Sequence, residues 1–273
     1  MSIQDRPPLT AIIPTGNSAS VIRDCIESLL WVDEILICDS YSTDQTLSIC
    51  REYPCRIVQR IYDMPSAQKN WAMQQATSDW VLFVDSDERV SAALHSEILD
   101  TLAKDKPFVG YQIPRLNYVW GKPVHHGGYW PDYQLRLFRR SAGRYDERPV
   151  HERVVLTSPA GILHQPLIHY THRTMSQTLG NLLVRWVPLE AVARQTRGER
   201  FSLAALLLRP PAAFVYRYIW RQGYRDGVRG LILAIIWSCY VALTYLHLWE
   251  TAQQLPSDWW QVAWQNEKGE SEQ

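Results

Sequence analysis

The sequence predicts an α/β fold, a mostly parallel sheet flanked by helices, followed by a helical C-terminal segment. Three observations carry that prediction. Strand-like and helix-like runs alternate four times within the first hundred residues, the spacing of stacked βαβ units. The strand-like runs are apolar on both faces, so they need helices on both sides. From Ser176 onward the pattern is helical, with Pro188, Pro210 and Pro211 expected to break it.

The elements follow in order. Leu9–Pro14 is a short apolar run closed by a proline. Asn17 or Ser18 can cap a helix running to about Leu30, with Val21, Ile22, Cys25, Ile26, Leu29 and Leu30 on one face. Glu34–Asp39 is a second strand; Thr43 or Asp44 then caps a helix through Cys50. Arg56–Gln59 reads as a third strand and Ser66–Gln75 as a helix. Trp80–Val84 is the most apolar strand and stops at Asp85-Ser86-Asp87, before a helix over Ala92–Leu102. Between Gly110 and Tyr170 short alternating runs (Tyr111–Pro114, Gln134–Arg139, Arg153–Leu156, Leu167–Tyr170) predict mixed strands and functional loops.

Composition bounds the reading. The 273 residues are 46% hydrophobic and 21% charged, as in ordinary globular chains. Lys+Arg and Asp+Glu both total 28, so global charge points to no particular partner, nucleic acid included. Between Arg173 and Gly230, however, ten arginines face three acids, a balance that suits phosphates or an anionic membrane surface as well as a solvated helical face. The five cysteines show no metal-ligand spacing and read as reduced thiols of a reducing compartment. The N-terminal stretch has no basic region followed by a long apolar run and is not expected to act as a signal peptide.

Ligands of parallel sheets bind outside the carboxyl ends of the strands. Three polar clusters fall there: Thr15-Gly16-Asn17, Asp39–Asp44 and Asp85–Asp87. The two carboxylates of Asp85-Ser86-Asp87 suit a divalent cation that also bridges a diphosphate, although such a short pattern also occurs in solvated turns. Asp39 can accept a base N–H or hold a ribose, and the same loop can simply cap a helix.

With these pieces the chain resembles the family 2 inverting glycosyltransferases of GT-A fold. The resemblance is carried by Ile12–Asn17, Cys38–Thr46, Gln68–Ala72 and Trp80–Val90. More narrowly, the sequence is similar to lipopolysaccharide-core enzymes of the β-1,4-glucosyltransferase and heptosyltransferase type, through Trp130-Pro131-Asp132, Leu135–Arg139, Val150-His151-Glu152 and Ile168-His169-Tyr170. It departs from that pattern at Gly16, where relatives often carry Tyr or His, and at Ser40, where the second acid of the nucleotide motif is usual.

The resemblance implies a catalytic domain over 1–175 and a membrane-associated helical region over 176–273. It places Pro14, Thr15, Asn17, Asp39, Ser42, Gln68, Lys69, Asp85 and Ser86 around a nucleotide sugar, with UDP-glucose the first choice. Asp87 and His169, with His172 next, would hold Mg²⁺ or Mn²⁺. Gly127 and Gly128 would face the sugars, Arg136 would serve the acceptor side or grip phosphate, and Asp132 would be the general base, with Glu152 in reserve. The implied acceptor is a lipid-linked saccharide at the cytoplasmic face of the inner membrane.

Phe201–Arg229 mixes aromatics with arginines, which suits a headgroup interface. Gly230–Leu246 is free of charge and at the lower limit of a membrane span. A peripheral helix is preferred, with a single span or a buried core helix as alternatives. Tail residues Trp259, Trp260 and Trp264 fit any of the three. Rival functions are a polyprenyl-phosphate sugar transferase, a nucleotidyltransferase and a non-catalytic membrane scaffold; the second normally needs basic residues after the first strand, and Thr15–Ser20 has none.

Overall fold

The computed structural model describes residues 6–104, 107–146 and 153–254. The chain divides into two compact units, one ending at Thr174 and one beginning at Met175.

The first unit opens with β1 (Leu9–Thr15), α1 (Ile22–Glu27), β2 (Glu34–Asp39), α2 (Thr46–Cys50), β3 (Cys55–Gln59), α3 (Pro65–Gln75) and β4 (Trp80–Phe83). Then come β5 (Glu88–Val90), α4 (Ala92–Leu102), β6 (Gly110–Val119), β7 (Lys122–Pro123), β8 (Asp132–Arg139), β9 (Gly143–Tyr145), β10 (Val154–Leu156), β11 (Gly161–Ile162) and β12 (Leu167–His172). The main sheet runs β3-β2-β1-β4-β8-β6-β12-β5. Its first four strands are mutually parallel. From β4 onward the pairing is mixed: β8 is antiparallel to β4 and β6, β12 is parallel to β6, and β5 is antiparallel to β12.

Side chains alternate across the pleat, so each strand feeds two cores. Leu9, Ala11 and Ile13 of β1 pack with Ile22 and Ile26 of α1 and Leu94 and Ile98 of α4. Ile12 points the other way, with Leu36, Phe83, Phe138 and Ala72 and Met73 of α3. Helices thus cover both faces, as the apolar runs predicted. Phe83 stacks on Phe138 at 5.9 Å and meets Tyr145 edge-on at 5.1 Å. The described cysteines form no disulfide; burial pushes the Cys38 and Cys50 thiols up to about 11 and Cys55 to about 12.

Several local expectations change. The first helix stops at Glu27, because Leu29 bonds back three residues to Ile26 instead of four. Neither Asn17 nor Ser18 caps it by side chain; the Ser18 carbonyl accepts from Val21 and Ile22. The second helix starts at Thr46, and Asp44 accepts from the Thr46 N–H just ahead of it.

In the second unit, α5 (Met175–Asn181) leads through one wide turn (Leu182–Trp186) into α6 (Val187–Thr196), followed by α7 (Leu203–Val215), a second wide turn (Tyr216–Trp220) and α8 (Gly227–Gln253). The prolines do not break these helices. Pro188 sits at the start of α6, directly after the wide turn, and the helical path runs on through it. Pro210 and Pro211 lie inside α7, where the Pro210 carbonyl accepts from Ser238 of α8. Gly230 of α8 lies so close to Gly223 that a Cβ there would stand 1.8 Å from the Gly223 carbonyl oxygen. The uncharged run forms part of α8, and the helical stretch Gly223–Gln253 is long and apolar enough to cross a membrane by length and composition.

Candidate functional site

The register of the parallel strands brings the polar clusters to one edge. Thr15 pairs with Asp39, and Val84 donates to the Ile12 carbonyl (3.1 Å), so β1, β2 and β4 release their loops side by side. Asn17 occupies a left-handed conformation (φ 49°), which an Asn tolerates better than most side chains. Its backbone N–H donates to Ser42 Oγ (2.8 Å), and its side-chain oxygen accepts from the Thr43 and Asp44 N–H groups (2.9 and 3.3 Å). Ser42 in turn donates through N–H (3.0 Å) and hydroxyl to Asp39, which is fully buried and also takes Gln59 Nε2 (2.9 Å). Ser18 Oγ meets Ser86 Oγ at 3.0 Å and links this pair of loops to the Asp85–Asp87 turn. Gln68, buried on α3, donates to Ser40 Oγ (2.6 Å). The Thr15 hydroxyl is buried beside Pro14 without a hydrogen-bond partner among the described residues.

The Asp85–Asp87 turn splits its carboxylates. Asp85 receives Arg136 Nη2 at 2.6 Å; the same nitrogen donates to Glu88 Oε1 at 2.9 Å. Glu88 is fully buried, and its other oxygen accepts the Asp85 N–H (2.9 Å). Desolvation alone would raise the Asp85 carboxyl, but the Arg136 guanidinium, with Lys69 and Arg115 beyond it, holds it well below the usual carboxylate range. At Glu88 desolvation wins over Arg136 and moves the acid upward. Arg136 was expected on the acceptor side or on phosphate. It lies buried instead, committed to these two carboxylates, and this is a correction to that placement. Lys69 packs over the Tyr145 ring at 5.0 Å.

Asp87 turns the other way. Its carboxylate stands 3.5 Å from His169 Nε2, because β12 pairs His169 with Glu88. His169 Nδ1 lies 2.7 Å from Asn117 Oδ1, and the Asn117 amide nitrogen donates to the Tyr129 carbonyl (3.1 Å). That donation fixes the amide with its oxygen toward the ring, so Nδ1 carries a hydrogen and Nε2 faces Asp87. Two ligands each about 2.1 Å from one ion are separated by about 3.0 to 4.2 Å, and 3.5 Å lies in that range. Among the described residues no group of three or more His, Cys, Asp or Glu side chains is placed to hold a metal. Any ion here would therefore draw further ligands from a bound diphosphate or water. His172, three residues on, is pulled down to about 4 by burial and by His169.

Asp132 opens β8 after a cis Trp130–Pro131 bond. Arg115 of β6 is its cross-strand partner and grips Asp132 Oδ2 through Nε (2.8 Å) and Nη2 (2.6 Å), while Gln134 Nε2 donates to Oδ1 (2.7 Å). Desolvation works against ionisation here, but Arg115 and Gln134 outweigh it and hold the carboxyl below its ordinary value. Gly127 and Gly128 both take positive φ (66° and 83°), forming the turn that precedes Trp130 and Asp132. Glu152 lies outside the described residues.

Sequence reasoning missed Glu88, Arg115 and Asn117. Charged and polar residues inside a strand that is otherwise apolar were the available signal for the last two, since Arg115 and Asn117 interrupt the Gly110–Val119 run.

Residues 10–166 match the family model described as Glycosyl transferase family 2. The lipopolysaccharide core biosynthesis glycosyltransferase LpsC of Rhizobium meliloti is 30% identical over 255 residues, covering 89% of this chain and 92% of that protein. An uncharacterized glycosyltransferase of Rickettsia typhi is 30% identical over 242 residues, covering 84% and 82%. Among solved structures, S. aureus TarS 1-349 in complex with UDP-GlcNAc superposes with a TM-score of 0.49 at 17% identity, covering 90% of this chain and 92% of that one.

Proposed function

Because the chain belongs to glycosyl transferase family 2, we propose that it moves a hexose or heptose from a nucleotide diphosphate sugar, UDP-glucose first, to a lipid-linked saccharide of the lipopolysaccharide-core kind, with inversion. The observation that carries this reading is the meeting of the β1, β2 and β4 loops on one edge beside the facing Asp87–His169 pair. The Rhizobium meliloti relative, a lipopolysaccharide core biosynthesis glycosyltransferase, supports the acceptor class.

In this reading Asp39, Asn17 and Ser42 form the nucleoside side of the cleft, with Pro14 and the spare Thr15 hydroxyl beside them. Gln68, Lys69, Asp85 and Ser86 line its diphosphate side. Asp87 and His169 would hold Mg²⁺ or Mn²⁺, which offsets charge on the departing diphosphate. Asp132 accepts the proton of the acceptor hydroxyl as that oxygen attacks the anomeric carbon. The carbon–oxygen bond to the diphosphate breaks on the opposite face, and its electron pair leaves with the nucleoside diphosphate.

The second unit serves the acceptor. Leu203, Leu207, Pro211, Val215 and Ile219 form one exposed row at four-residue spacing, and Ala204, Leu208, Ala212, Tyr216 and Trp220 form the row beside it. Neither row contains a charge, while Arg209, Arg217 and Arg221 interleave with them in sequence. This fits a helix lying in an anionic membrane surface, peripherally, at the cytoplasmic face. A single crossing by α8 is the second reading, favoured by its length and apolar composition.

The test is a panel of nucleotide sugars with Mn²⁺ or Mg²⁺, scored by release of nucleoside diphosphate and by binding shift. Turnover of one hexose or heptose donor, increased by core oligosaccharide, is the expected result. No turnover and no binding across the panel would overturn the proposal.

A further inference from the structure

Five charged groups form one alternating chain through the mixed half of the sheet. Asp85 meets Arg136 at 2.6 Å, Arg136 meets Glu88 at 2.9 Å, Glu88 meets Arg115 at 3.5 Å, and Arg115 meets Asp132 at 2.6 Å. The middle member, Glu88, is fully buried and shared by both arginines. The chain therefore runs from the diphosphate side of the cleft to the proposed base without a gap.

The Arg115 end is asymmetric. Two N–H groups of one guanidinium converge on Asp132 Oδ2, while Gln134 donates to Oδ1 and the Asn117 side chain adds a further hydrogen bond to the carboxylate. A carboxylate offers about four acceptor positions, two on each oxygen. The guanidinium alone fills both positions on Oδ2. A planar fork can impose this; an ammonium, a single point charge on a flexible stem, holds one contact at a time.

We propose that Arg115 is a positioning residue for sugar transfer: its two-pronged grip on Asp132 fixes the orientation of the carboxylate that receives the acceptor proton, and its contact with Glu88 ties that carboxylate to the donor side of the site. The inference rests on Asp132 acting as the base. During transfer the acceptor O–H proton passes to the Asp132 carboxylate, the acceptor oxygen bonds to the anomeric carbon, and the diphosphate leaves with the electron pair of the broken bond. Arg115 gives up no proton in this step. The lowered Asp132 carboxyl fits the same picture, since the base enters each cycle ionised.

The experiment compares full-length wild type, Arg115→Gln, Arg115→Lys, Asp132→Asn and the Arg115→Gln/Asp132→Asn double variant. Three quantities are measured: thermal midpoint, affinity for UDP with Mn²⁺, and kcat for transfer from whichever nucleotide sugar the wild type turns over. Arg115→Gln should lower kcat about 100-fold, the scale of a misplaced reacting group, with UDP affinity within about twofold of wild type. Arg115→Lys should recover part of the rate, about tenfold, by restoring one contact. The double variant should be no slower than Asp132→Asn alone, because both changes remove the same act.

Wild-type kcat in Arg115→Gln, with Asp132→Asn inactive, overturns the role of Arg115 and leaves the base standing. Equal loss of UDP affinity and kcat also overturns it, as does a double variant slowed by the product of the two single losses. Should Arg115→Gln fail to fold, Arg115→Lys decides: a reduced kcat at unchanged UDP affinity supports the role, and an unchanged kcat overturns it. Normal transfer by Asp132→Asn removes the base, and this inference with it.

Discussion

The two halves of the main sheet build their share of the site by different means. In the parallel half, β3-β2-β1-β4, the loops latch to each other through hydroxyl, amide and backbone hydrogen bonds. Asn17 holds Thr43 and Asp44, Ser42 holds Asp39, and Ser18 holds Ser86. In the mixed half, β8-β6-β12-β5, the site is a charged network assembled across strands, with Arg136, Glu88, Arg115 and Asp132 in sequence. On the proposed function, the contrast assigns recognition to one half and chemistry to the other. Changes in the first half should act on donor binding, and changes in the second on the rate of transfer.

The largest expected effect tests the second half. Asp132→Asn should lower kcat for transfer about 10³-fold, the range of a lost general base, while UDP binding with Mn²⁺ stays at the wild-type level in calorimetry. A matching loss of UDP affinity would break the division between the halves.

A stability effect comes next, at the opposite edge of the parallel half. Burial would raise the Glu34 carboxyl, but the Thr77 N–H and hydroxyl, Thr10 and Arg56 bring it down to about 2. A folded pKa below the unfolded value stabilises at neutral pH, and that contribution fades as pH falls from about 4.5 toward 2. Glu34→Gln should therefore cost about 2–3 kcal/mol at pH 7 by urea denaturation, with the gap to wild type closing in acid and donor binding unchanged.

Asn17→Ala should act where the first half meets the ligand. It removes the acceptor that orders the Thr43–Asp44 loop, so the donor KM should rise about tenfold with kcat nearly constant, the effect of one or two polar contacts. The smallest effect belongs to His172. With its folded pKa at about 4, the unfolded chain binds a proton near pH 6.5 that the folded one refuses until lower pH. Wild-type stability should decline over that interval, and His172→Gln should flatten the decline.

The same division explains what was legible in the sequence. The strand-end clusters of the parallel half announce themselves because β1, β2 and β4 are apolar runs that stop at polar residues, and parallel order alone carries Thr15, Asp39 and Asp85 to one edge. The mixed half gives no such local sign. Glu88 lies on a three-residue strand too short for a period, and it meets Arg136 only through tertiary folding. Arg136 reads as a cation for the acceptor or a phosphate and is buried because two carboxylates receive it. Arg115 finds Asp132 through antiparallel register, which spacing does not reveal. In the second unit, propensity predicted breaks at Pro210 and Pro211, and helix packing overrode it.

The central claim is that this sheet edge binds a nucleoside diphosphate with a cation held between Asp87 and His169. Calorimetric titration of UDP into the wild-type chain and into Asp87→Ala, with Mn²⁺ and with EDTA, tests it directly. Wild-type affinity should fall at least about tenfold in EDTA, the weight of a charge-bridging contact, and Asp87→Ala in Mn²⁺ should match wild type in EDTA. Equal UDP affinity in all four titrations would contradict it.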